Sequence, residues 1–138
     1  MNYSGFWKRF AALFIDTIAL GVCGFIVGIV FAVIYVSLNG SEHGTEIWAN
    51  ALGIIMAWIY FAGFESSPKQ ATLGKMALGI KVVGLDGERL SFGKASGRYF
   101  GKIISSLILG IGYIMVAFTE KKQGLHDKMA GCLVIDVE

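Results

Sequence analysis

From Phe10 to Leu38 the chain carries one charged side chain, Asp16, and a second uncharged run extends from Ile47 to Phe64. About 20 apolar residues suffice to cross a ~30 Å hydrocarbon core as a helix. Two N-terminal transmembrane helices are therefore expected, over about 10–38 and 47–64. The polar connector between them holds Asn39, Gly40, Ser41, Glu42, His43 and Gly44 but no lysine or arginine. Trp48 and Trp58 lie towards the ends of the second run, where an amphipathic indole suits the membrane interface. A third apolar run, Ile103 to Thr119, has seventeen uncharged residues. As one helix it would reach only ~25 Å, and Gly110 and Gly112 can divide it into two half-helices that enter and return.

The loop at 65–102 has its own pattern. Ser67-Pro68 reads as a cap followed by proline at a first helical position, and Gly79 as a left-handed stop. Leu73, Met76, Ala77 and Ile80 recur at helical spacing while Lys69 and Lys75 point elsewhere, the pattern either of a helix lying on a membrane surface or of an ordinary amphipathic helix. Ile80–Val83 and Arg89–Phe92 flank Leu85-Asp86-Gly87-Glu88, and Asp-Gly suits a type I′ hairpin turn. The β-prone tail Cys132–Val137 is expected to pair with this hairpin, because two strands alone are marginal.

Charge sets the orientation. None of the twelve lysines and arginines lies between Arg9 and Lys69. The positive-inside rule then places Lys8, Arg9 and the loop in the cytoplasm. Both flanks of the third run are basic, which favours re-entry over crossing. The N-terminus resembles a signal peptide, but its apolar run continues to Leu38 without an A-x-A-like site, so an uncleaved span is expected. At 55% hydrophobic and 16% charged residues, the chain lies on the apolar side of soluble domains. The expectation is a single mainly α integral membrane domain over residues 1–138, in a bacterial-type cytoplasmic membrane. It comprises two spans, the amphipathic helix and hairpin, a third transmembrane or re-entrant segment at 103–119, and a cytoplasmic tail at 120–138 whose strand pairs with the hairpin. Cys23 and Cys132 lack metal-ligand spacing and read as packing residues.

Asp16 is the residue most in need of explanation, because a carboxylate within a span must be paired, hydrated or protonated. Arg9 lies on the same face but about 10 Å away along the axis, so Arg98 and Lys102, at the entry to the third run, are the candidate partners. His126-Asp127 can be a proton relay, or Asp127 can close an ion pair with Arg98 or Arg9. Gly24 with Gly28, and Gly97 with Gly101, form GxxxG pairs suited to close packing within the chain or between copies.

Gly5-Phe6-Trp7-Lys8-Arg9-Phe10 with Ile15-Asp16, the loop segment Gln70–Lys75 with Gly79–Val83 and Asp86-Gly87, and the tail Gln123–Gly131 together resemble the RDD family over nearly the whole chain. The family is named for an arginine and two aspartates, and the resemblance maps these onto Arg9, Asp16 and Asp127. Cys132 stands where similar tails often carry threonine. The resemblance implies a multi-pass membrane protein, with cation or proton transport proposed for some members.

Neither a nucleophile elbow, nor HExxH, nor a phosphate-binding loop is present, so no enzyme activity and no cofactor or metal is expected. Lysines beside a span more often meet anionic lipid than nucleic acid, and no nucleic-acid partner is expected. Two functions fit. One is a cation or proton transporter, or a transporter component, with Arg9, Asp16 and Asp127 along the ion pathway and Arg98, Lys102 and His126 as partners. The other is a non-transporting scaffold or accessory subunit whose charged residues are structural. With so little interior to enclose Asp16, a homo-oligomer or a larger membrane partner is also expected.

Overall fold

A computed structural model describes residues 2–107 and 111–137. Helix α1 runs Phe6–Asn39 and ends where Gly40 turns left-handed and donates its N–H to the Val36 carbonyl. Helix α2 follows at Thr45–Ser66. At 34 and 22 residues these helices are about 51 and 33 Å long, and α1 begins one turn before the expected span. Val22, Phe25, Ile26, Val30, Val33 and Ile34 are each more than half exposed along α1. Such a surface is stable only against lipid or another apolar partner.

At one end of this pair the chain builds a small covered sheet. Helix α3, Leu73–Leu78, leads through Gly79 into strand β1, Ile80–Gly84. Helices α4, Phe92–Leu107, and α5, Ile111–Phe118, follow. Helix α6, Leu125–Ala130, then leads through Gly131 into strand β2, Cys132–Asp136. The two strands pair antiparallel with Val82 opposite Val134. Each six-residue helix thus turns on a left-handed glycine directly into a strand, α3 seated on α1 and α6 on α4. Ile80, Val82, Leu90, Cys132 and Val134 form the core beneath, closed by Ala12, Ala62 and Ala95 from the long helices.

The C-terminal strand pairs with β1 as expected, but the predicted second hairpin strand does not form. Gly87 accepts the left-handed conformation at φ 83°, and Gly84 donates to the Glu88 carbonyl at 2.7 Å, so a three-residue loop replaces the type I′ turn. Ser91 then starts α4, its hydroxyl accepting from the Lys94 N–H at 3.2 Å. The third member of the sheet comes from the N-terminus instead. Tyr3 bridges to Ile135, and Ser4 donates to the Val134 carbonyl at 2.8 Å.

Helix α3 is capped by Thr72 and not by Ser67, which ends α2 instead. Leu73, Met76 and Ala77 face outward as expected of a membrane-facing side, and Lys69 is exposed, but Gly74 and Lys75 are buried. Ile80 belongs to β1 and points into the core. The third apolar run supplies the end of α4 and all of α5, and α5 packs against α4 and α6. Gly110 lies outside the described residues. Gly101 admits the backbone of α6, since a Cβ there would meet His126 Cα at 3.2 Å, whereas Gly24, Gly28 and Gly97 have no neighbour within 4 Å of such a Cβ.

Candidate functional site

Charged side chains from five helices converge where the sheet unit meets α1 and α2. Arg98, only 1% exposed, is the centre. Its Nε donates to Asp127 Oδ1 at 2.8 Å and its Nη1 to Glu65 Oε1 at 2.6 Å. Arg9 pairs with the other oxygen of Asp127 and also donates to the Lys122 carbonyl at 2.8 Å. Lys75 pairs with Glu65. Lys102, one turn beyond Arg98, is held most loosely, 3.9 Å from Glu65 and 4.4 Å above the Phe61 ring. Asp127 also accepts from the Gly124 N–H at 3.0 Å, with the Cys132 thiol at 3.7 Å. A thiol thus occupies a place where a threonine hydroxyl would donate more strongly.

Asp16 stands apart from these cations. Its Oδ2 accepts from Thr72 Oγ1 at 2.6 Å, and its Oδ1 from the Tyr60 hydroxyl and the Gly74 N–H, each at 2.8 Å. The expected pairing with Arg98 or Lys102 is therefore corrected: those residues face Glu65 and Asp127. The reason lies in α3, whose first turn is docked on α1 with the free N–H of Gly74 towards Asp16. Only glycine permits that approach, because a Cβ at Gly74 would lie 2.0 Å from the Ala12 carbonyl oxygen.

Of the three residues that name the family resemblance, Arg9 and Asp127 are bonded directly, while Asp16 holds a separate joint. Arg98, Lys102 and His126 all reach the same cluster. Glu65 and Lys75 escaped the sequence reading. Glu65 follows Phe61 and Ala62 on the inward face of α2, so its helical phase was the available signal. For Lys75 the signal was its place opposite the stripe of Leu73, Met76 and Ala77, once that stripe is read as membrane-facing.

Burial alone would raise the Asp127 carboxyl, but Arg98 and Arg9 outweigh it and hold the group well below the usual carboxylate range. Burial pushes the His126 imidazole down to about 2; Asp127 pulls against it, while Arg98, Lys102 and Arg9 add to the downward shift. Hydrogen bonding agrees. His126 Nε2 faces Arg9 Nη2, an obligate donor, at 3.2 Å, so Nδ1 carries the proton towards Ser105 Oγ at 3.3 Å. An imidazole held neutral in this way has its acceptor nitrogen engaged by Arg9. Burial likewise lowers the Lys75 ammonium against the pull of Glu65, and raises the Cys132 thiol to about 12.

These shifts imply acid sensitivity. The folded pKa of His126 lies below its unfolded value, so the stability from keeping it neutral is present above ~6.5 and falls as pH drops below it. Asp127 acts in the same direction lower down, below ~3.9. The melting temperature in detergent should fall between pH 7 and 5, and His126→Gln should flatten that slope. An unchanged slope in the variant would count against a buried neutral imidazole.

Beside the cluster lies a cavity of about 400 Å³, with Arg9, Asp16, Lys75, Arg98, Lys102 and His126 among its lining. Long apolar helices over a buried charged joint define a small α-helical membrane protein. The chain belongs to the RDD family, whose model matches residues 3–131. It is 38% identical to the uncharacterized protein YxaI of Bacillus subtilis (strain 168), across 90% of this chain and 91% of that protein. It is 33% identical to the uncharacterized membrane protein YteJ of the same organism, across 96% of this chain and 80% of that one. No solved structure matches.

Proposed function

We propose that the chain is a non-catalytic membrane module in which the Arg/Asp cluster is architecture, clasping the sheet unit to the inner ends of α1 and α2. The observation that carries this reading is the bridge made by Arg98: it joins two buried carboxylates, Glu65 and Asp127, and Arg9 closes the other oxygen of Asp127. Asp16 supports it, since three donors without charge hold it in place. In this reading the protein is multi-pass in a cytoplasmic-type membrane, with α4 and α5 as a re-entrant pair and both termini at the cytoplasmic face. The positive-inside bias of the chain supports that orientation. Use as an accessory or scaffolding subunit, with a second copy or a larger membrane partner covering the outer half of α1, follows from its exposed apolar surface.

Asp16→Asn tests the architectural role. The amide keeps one acceptor oxygen and puts a donor NH2 in place of the other, so the variant should lose about 1–3 kcal/mol. The expected result is a lower melting temperature and a smaller folded fraction in detergent. Wild-type stability and yield in the variant would remove Asp16 from the architecture. A second reading, a cation or proton transporter or its component, draws on the cavity wall shared by Asp16, Arg9 and His126. Against it, the lining cations oppose entry of a cation.

A further inference from the structure

We infer that the cavity between α1, α4 and α5 is a binding site for the oxyanion head of an amphiphile, such as the headgroup of an anionic lipid. Three observations carry this beyond the architectural reading. The first is charge. Arg9, Lys75, Arg98 and Lys102 are four formal cations in the cavity wall; Glu65 and Asp127 pair with them from behind, and Asp16, unpaired with any of them, is a third carboxylate in the wall. His126 adds no compensating negative charge. One positive charge therefore remains for a single anion, and buried cations require such a partner.

The second observation identifies the residue that would meet the anion. Lys102 makes the weakest contact of the cluster, 3.9 Å from Glu65, while two shorter pairs already hold that carboxylate. Its side chain is 12% exposed and lines the cavity. The third is the opposite wall. Phe10, Leu13 and Ile114 line the same space, and Phe10 and Ile114 are about half exposed, which puts the rim on the apolar outer surface. A volume near 400 Å³ lies within the range of small-molecule sites. It takes a headgroup and leaves the acyl chains to run outward past Phe10 and Ile114. A free inorganic anion would satisfy the charge but leave that wall unused.

The test is native mass spectrometry of the full chain in dodecyl maltoside micelles containing phosphatidylglycerol, phosphatidylcholine or sodium phosphate. Wild type should retain one phosphatidylglycerol per chain in preference to phosphatidylcholine, and phosphate should not displace it. Lys102→Gln should weaken retention about tenfold, and Lys94→Gln, on the exposed face of the same helix, should leave it unchanged. Ile114→Trp keeps every charge but fills the cavity, so it should abolish retention even if Lys102→Gln folds poorly. Equal retention of the two lipids, displacement by phosphate alone, or wild-type retention in Ile114→Trp would overturn the inference.

Discussion

Replacing Arg98 with methionine should lower stability by about 3–5 kcal/mol, the usual consequence of removing one partner from a buried ion pair. The effect belongs at the upper end of that range. Arg98 compensates two carboxylates, and both Glu65 and Asp127 are almost fully buried. Methionine fills much of the same volume, so the loss would be electrostatic rather than a packing defect. Denaturant melts in detergent should show the change, while Lys94→Met, at an exposed site on α4, should stay within about 0.5 kcal/mol of wild type. Combining Arg98→Met with Glu65→Gln should recover part of the loss, because one stranded charge is removed with its partner. Additive losses would show that the two residues are not coupled.

The second large effect is expected at Gly74, where the cost is steric. An added methyl group would overlap the Ala12 carbonyl oxygen, an atom of α1 backbone that cannot rotate away. Helix α3 would have to lift, and Asp16 would lose its 2.8 Å bond from the Gly74 N–H. Overpacking costs about 1–3 kcal/mol and a lost bond to a charged acceptor about 1.5–3, so Gly74→Ala should destabilise by roughly 3 kcal/mol or more. Gly97→Ala is the matched comparison. It is also a helical glycine, yet nothing lies within 4 Å of its added Cβ, so it should be neutral or gain about 0.5–1 kcal/mol from helix propensity. Similar melting temperatures for the two variants would refute the docking of α3 on α1.

What could be read from the chain divides along a physical line. Runs of twenty or more apolar residues announce themselves, and α1 and α2 emerged within a few residues of their ends. The tail strand was legible because Cys132–Val137 alternates poorly as a helix and is rich in β-branched side chains. Arg89–Phe92 looked equally strand-like, but Ser91 serves as a helix cap, and the open edge of β2 was taken by the N-terminal Asn2–Ser4. That competition is settled by tertiary contacts between residues more than 120 positions apart. Among the charged residues, Arg9, Asp16 and Asp127 were legible by position and by family resemblance. Arg98 and Arg9 as partners of Asp127 were legible too, whereas those of Asp16 were not, because they depend on where α3 docks. A six-residue helix with apolar residues outside and lysine inside reverses the usual sign of amphipathicity, an arrangement that lipid or another apolar partner makes favourable.

The central claim, that the charged cluster holds the fold together and does not conduct, is tested most directly by ion flux. Wild-type protein reconstituted in liposomes loaded with a pH-sensitive dye should pass no more protons than empty liposomes when sodium or potassium gradients are imposed. Cation-dependent proton flux that Asp16→Asn abolishes while remaining folded would contradict the account and assign Arg9, Asp16 and Asp127 to an ion pathway.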